Sequence, residues 1–215
     1  MNIRTTYFIT CLFLAALVLT FSSFSSIAHS GNRFQSIEYN IQPKSLLEVN
    51  GNTNINSFSC TSHERFQNNN LDYIFQDQNS SFYFQNTKFD LNIKELDCGK
   101  KKINKDLFKA LKVEEYPNIT IVLNEALNLE CSDMSICGEW TDFEVSTNIT
   151  ITCETRRIII PILVKRLEEH IYRITGGTAL KLCDFAVKAP TALMGLIKVK
   201  DEIDFNFDLY VKVIE

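Results

Sequence analysis

The sequence predicts an all-β domain: an antiparallel meandering barrel or sandwich of about eight to ten strands with one short amphipathic helix. Two observations carry that expectation. Apolar and polar residues alternate with a period of two through most of the chain. The clearest case is "DEIDFNFDLYVKVI", where Ile203, Phe205, Phe207, Leu209, Val211 and Val213 face one way and Asp204, Asn206, Asp208 and Lys212 the other. Only "NKDLFKALKVEEYP" shows the three- and four-residue recurrence of a helix, through Leu107, Phe108 and Leu111.

In chain order, Arg4 is the only charged residue before an apolar run from Ile9 to Val18 that grades into "TFSSFSSIAHS". That is the layout of a secretory signal peptide over residues 1–30. Ala28 and Ser30 supply the small residues for cleavage before Gly31, with an uncleaved anchor as the alternative. Cys11 precedes the apolar core, which argues against lipoprotein-type acylation. Losing Arg4 moves the formal net charge from −4 to −5. A mildly acidic domain does not suit a phosphate backbone, so nucleic acid is not an expected partner. Residues 31–215 are long enough for a single domain with a real core and hold no further apolar run of about 18 residues that could span a bilayer.

The stretch "SLLEVNGNTNINSFSC" reads as a half-buried strand with Val49, Thr53 and Ile55 on one face. The Asn- and Gln-rich "HERFQNNNLDYIFQDQNSS" reads as a loop or ragged edge hairpin. Alternation resumes through Phe89, Leu91 and Ile93, and again through Ile119, Ile121 and Leu123. The helix between them has Asn104 as a capping residue and Pro117 as its stop. Further on, "FEVSTNITITCETRRIIIPILVKRL" predicts two strands around a turn at Cys153 to Arg156, and "HIYRITGGTALKLCDFAVK" another pair around Gly176-Gly177. The greasy connection from Ala189 to Leu196 contains Pro190 and Gly195, so it belongs at a barrel rim. Ala192, Leu193, Met194 and Leu196 must there be covered by something other than strand pairing.

Of seven cysteines, six remain after Cys11 leaves with the signal, an even number that suits an oxidising compartment. Six allow 15 connectivities. Strand order favours Cys60 with Cys98 and, less securely, Cys131 with Cys137 and Cys153 with Cys183. No Cys-x-x-Cys pair occurs, and His63 and His170 have no ligand-like spacing to the cysteines, so a zinc site is not expected. The same spacing makes the Cys131–Cys137 pair a loop staple rather than a redox dithiol. Both histidines fall in surface loops, and no nucleophile–base pair or pair of distinct acids emerges, so the reading is non-enzymatic. Asn-x-Ser/Thr matches at Asn79, Asn118 and Asn148 matter only in a eukaryotic secretory route, and the last two stand on expected strands.

Three motifs in order, "NKDLFKALKVEEYPNITIVL", "TNITITCETRRIIIPILV" and "LCDFAVKAPTALMGLIKVKDEI", together resemble the YceI-like family of exported proteins, from about Ser45 to the C-terminus. Tyr116-Pro117-Asn118-Ile119-Thr120-Ile121 is similar to that family's step from helix into strand. Thr150-Ile151-Thr152-Cys153-Glu154-Thr155-Arg156 resembles its hairpin, and Asp184-Phe185-Ala186 with Pro190 its late segment. Cys153 stands where glycine or a polar residue is usual, and Ala186 stands where glycine is usual.

The resemblance implies a lipocalin-like antiparallel β-barrel whose cavity holds a polyisoprenoid or quinone-like lipid, with no resident cofactor and no metal. Composition alone reads the inward Phe89, Leu91, Ile119, Ile121, Leu123, Ile149, Ile151, Ile160, Phe205 and Phe207 as ordinary core. The resemblance instead makes them cavity lining, joined by Phe108, Phe185, Leu193 and Met194. It implies a periplasmic or secreted carrier of an apolar or amphiphilic lipid, and a homodimer is compatible with it. Two other readings stay open: a disulfide-braced interaction module with a filled barrel and a contact loop from His63 to Ser81, and a thiol-dependent enzyme.

Overall fold

A computed structural model describes residues 34–64, 69–76, 80–129, 138–192 and 196–214. The expected signal segment 1–30, the Cys131–Cys137 pair, Asn79, Leu193 and Met194 lie outside the described residues. Phe34–Glu215 forms one compact unit.

Eight antiparallel strands close into a ring, in the order β1 (Gln35–Ile41), β4 (Asn69–Gln76), β5 (Ser81–Gln85), β8 (Asn118–Asn128), β9 (Trp140–Ile151), β10 (Glu154–Glu168), β11 (Ile171–Lys181) and β13 (Ile197–Ile214), with β13 pairing back onto β1. Two of these strands each serve two partners on one edge. β13 pairs β2 (Leu46–Thr53) through Val199 to Asp208 and then β1 through Val211 to Ile214. β8 pairs β6 (Lys88–Asn92) through Asn118 to Val122 and β5 through Glu125 to Leu127. The barrel therefore has two storeys. One is closed by β1, β4 and β5. The other is walled by β2, β3 (Ser57–Ser62), β7 (Leu96–Asp97) and β6, and the helix α1 (Lys101–Ala110) follows β7. The short β12 (Thr191–Ala192) folds back on the start of β13.

Several expectations are corrected. The Asn/Gln-rich stretch expected as a loop or ragged edge hairpin does form a hairpin arm, β4 pairing β5, but not at an edge: β4 also pairs β1 and is a ring strand, with Leu71 and Tyr73 partly buried beneath the polar composition. Val49, Thr53 and Ile55 do not share one strand: Thr53 ends β2 and Ile55 sits in the turn before β3. The β9–β10 turn is Thr152–Cys153, since Glu154 already pairs with Ile151, and Thr152 takes a positive φ of 55°.

Gly176 and Gly177 lie in mid-strand, not at a turn. A Cβ on Gly176 would come within 2.8 Å of both the Phe207 ring and the Pro161 carbonyl, so this glycine makes room for a ring rather than for a bend.

Candidate functional site

The walled storey holds a cavity of about 480 Å³, within the ~300–1,000 Å³ usual for small-molecule sites. Its sides are apolar. Ile119 and Ile121 on β8 and Ile149 and Ile151 on β9 form one wall. Val49, Leu180, Ile203 and Phe205, from β2, β11 and β13, form the other. Each follows from strand alternation: Ile121 pairs Ile149, and Val49 pairs Phe205, so their side chains share the inner face.

The roof is α1. Ile103, Leu107, Ala110 and Leu111 recur at helical spacing and turn into the cavity. The helix begins three residues before the expected Asn104, with Lys100 at its N-cap and no side-chain capping bond. Asn104 reaches backward instead: its Oδ1 accepts from the Cys98 amide at 2.8 Å and its Nδ2 donates to Asp97 at 2.9 Å. The Asn104 bond, and the Gly99 amide after it, hold the Asp97 carboxyl below its ordinary value. Cys60 and Cys98 form the disulfide that strand order favours, tying β3 to the chain entering α1. Both cysteines line the cavity.

Beneath the cavity the barrel is filled. Phe205 and Phe207 lie 5.9 Å apart with tilted rings, and Tyr39 meets Phe89 at 6.4 Å. Burial raises the Tyr39 phenol above its ordinary value. Farther down, Phe82 packs on Phe143 and Phe75, around Ala126 and Val145. The interior thus combines a ligand-sized space with ordinary core around and beneath it.

Of the expected lining residues, Ile119, Ile121, Ile149, Ile151 and Phe205 meet in the cavity. The others do not. Leu91, Ile160 and Phe185 are buried in the core around it, Leu123 belongs to the lower cluster, and Phe89 and Phe207 pack beneath. Phe108 lies on the flank of α1 and borders a separate shallow groove with Lys105, Lys109 and Val113, because the helix turns its 103–107–110–111 stripe inward. Leu96, Leu180, Leu182 and Val187 line the cavity although none was expected to; reading Gly176-Gly177 as a turn hid the strand that delivers Leu180.

Cys153 and Cys183 are free and exposed, which corrects their expected pairing. The Cys183 sulfur is turned toward Asp201, 2.8 Å away, while Cys153 lies beside Tyr116. The Asp201 bond pushes the Cys183 thiol up, the opposite of what a thiolate nucleophile needs. Ala186 adopts a left-handed φ of 53° after the 3₁₀ turn Leu182–Phe185, at the position where the resemblance expected glycine. Thr152 Oγ1 lies 3.1 Å from the Phe185 carbonyl, which holds the β9–β10 turn against this segment. Among the described residues no helix is long and apolar enough to cross a membrane.

A polyisoprenoid-binding domain from Saccharophagus degradans superposes with a TM-score of 0.60 at 13% identity, over 82% of this chain and 98% of that one. This is the fold of the YceI-type barrels. Burkholderia cenocepacia BcnA matches at 0.60 with 15% identity, covering 80% of this chain and 99% of its own. A Campylobacter jejuni protein named YCEI matches at 0.51 with 13% identity, over 67% of this chain and 81% of that one. No family model and no curated protein matches the sequence. At such identities the shared feature is the YceI-type architecture.

Proposed function

We propose that this chain is an exported, non-enzymatic carrier that holds a long apolar or amphiphilic lipid of the polyisoprenoid or isoprenoid-quinone class in the walled storey of its barrel. The observation that carries this reading is the apolar, helix-roofed cavity of about 480 Å³ set above a lower storey in which Phe82, Phe143 and Val145 pack together. Small barrels either fill their interior with side chains or leave room for one ligand. Here the lower storey takes the first course and the upper the second. The fold shared with a domain named for polyisoprenoid binding supports the choice of ligand class. The Cys60–Cys98 bridge suits an oxidising periplasmic or extracellular destination.

The test is organic extraction of the purified protein followed by mass spectrometry, with Ala110→Trp as the blocked control. Ala110 faces the cavity from the roof, so an indole there occupies ligand space. The parent is expected to release a prenyl-type lipid, and the folded variant none. A parent that yields no lipid, and retains neither a long polyprenol nor an isoprenoid quinone after incubation, refutes the carrier reading.

A further inference from the structure

The rim of the cavity carries a surface that ligand holding does not use. Ile55 and Leu196 are the most exposed large apolar side chains among the described residues, at 65% and 74%. Both sit at hairpin ends, Ile55 between β2 and β3 and Leu196 just before β13. Asn54 joins the two tips. Its Nδ2 donates to the Leu196 carbonyl (2.9 Å), its Oδ1 accepts from the Lys198 amide (2.9 Å), and its own amide donates to the Lys198 carbonyl (3.1 Å). Thr53 Oγ1 accepts from the Ile55 and Asn56 amides at 3.2 and 2.9 Å, which fixes the turn that projects Ile55. Single exposed aliphatics are common and mean little. Two held on one hydrogen-bonded edge at the mouth of an apolar cavity are a built feature.

The charge around them has one sign in excess. Lys100 and Lys102, at the start of α1, line the mouth against a single carboxylate, Asp106. Lys198 is exposed beside the Asn54 bridge. This basic rim belongs to a chain with a formal net charge of −4, so composition does not account for it. Aliphatic tips flanked by lysines are the chemistry of an interfacial anchor, apolar groups entering the acyl boundary while cations meet anionic headgroups.

We propose that the cavity mouth docks on an anionic bilayer surface through Ile55, Leu196, Lys100, Lys102 and Lys198, so that an apolar ligand passes between bilayer and barrel without crossing water. This goes beyond ligand holding, and its test does not depend on what the cavity contains. The full chain is mixed with phosphatidylcholine vesicles containing about a quarter phosphatidylglycerol, and with phosphatidylcholine alone. Association is expected only with the anionic vesicles and is expected to weaken as salt rises. Each lysine at such a surface strengthens association about fivefold, so Lys100→Gln with Lys102→Gln is expected to weaken it about 25-fold. Ile55→Asp with Leu196→Asp is expected to abolish it.

A local reporter excludes attachment through another part of the chain. In a Trp140→Phe background, Ile55→Trp emission is expected to shift blue and to be quenched by brominated acyl chains. Parental Trp140, which begins β9 while the cavity-lining Ile151 ends it, is expected to stay unquenched. Unaltered binding by the aspartate variant, equal binding to neutral vesicles, or vesicle-bound protein with an unquenched tryptophan at position 55 overturns the proposal, as does capture by a protein partner with no vesicle binding. Lipid recovered from a chain that ignores vesicles sinks the docking and leaves the carrier reading standing.

Discussion

Opening the Cys60–Cys98 bridge is expected to destabilise the fold and release its roof together. The bridge closes a 38-residue segment, and the chain-entropy relation for a loop of that length gives about 4 kcal/mol at 25 °C. That is a large share of the ~5–15 kcal/mol that holds most domains folded. Locally little else ties the partners: β7 pairs β3 at only Thr61↔Asp97 and Ser62↔Leu96, and α1 follows directly. The assay is equilibrium denaturation of Cys60→Ala/Cys98→Ala beside the parent with its bridge reduced. The reduced parent loses no atoms, whereas the double variant also empties space at Cys60, which is fully buried. Both are expected to lose about 4 kcal/mol, the variant about 1 kcal/mol more. Ligand release is expected to accelerate in both. A loss below about 1 kcal/mol, or release unchanged in a folded reduced protein, refutes the argument that this bridge anchors the roof.

Other outcomes follow from single side chains. Leu111→Ala, at a 5% exposed roof position, is expected to cost about 2–4 kcal/mol and Phe108→Ala on the flank clearly less; thermal melts showing the reverse order would place the helix face wrongly. Ala186→Gly relieves an exposed left-handed alanine and is expected to stabilise by about 0.5–1 kcal/mol, read as a higher denaturation midpoint. Gly176→Ala drives a methyl toward the Phe207 ring and the Pro161 carbonyl and is expected to cost about 1–3 kcal/mol by the same measurement. Because Asp97 has its folded pKa depressed, its contribution is present above the unfolded pKa and is lost as pH falls through the folded one. Asn104→Ala is therefore expected to destabilise more at neutral pH than in acid, and equal losses at both would sever that link.

The long strand β13 was legible because one face of it is apolar for six alternate residues, and its observed inner face follows that pattern. β4 was legible only as the hairpin alternative to a loop, since asparagine and glutamine mark loops by their local hydrogen bonding and hide its place inside the ring. The helix was visible, but its short apolar pattern allowed more than one face. Leu107 and Leu111 do roof the cavity, while Ile103 and Ala110 replace Phe108 beside them. The mixed result for the lining has a general cause. Periodicity reports which way a side chain points, not how far along the barrel it sits. Ile121 and Leu123 point the same way on β8, yet the first borders the cavity and the second belongs to the packed storey below.

The divided loyalty of β13 bears on when this protein can acquire its shape. Tyr39 finds Val213, and Val49 finds Phe205, across most of the chain. Until β13 is present, the far edge of β11 stays unpaired along the eleven residues that later meet β13, and neither storey can close. A growing chain could form the run from β1 through β4, β5 and β8 to β11 and, apart from it, β2, β3 and β7, with the edges of β1, β2 and β11 that β13 later pairs left bare. Long-range pairing of this kind is slow, and unfinished sheets invite other strands. The polypeptide therefore stays threadable until the whole of it is made, and it has to be kept apart from its neighbours until its final strand is in place.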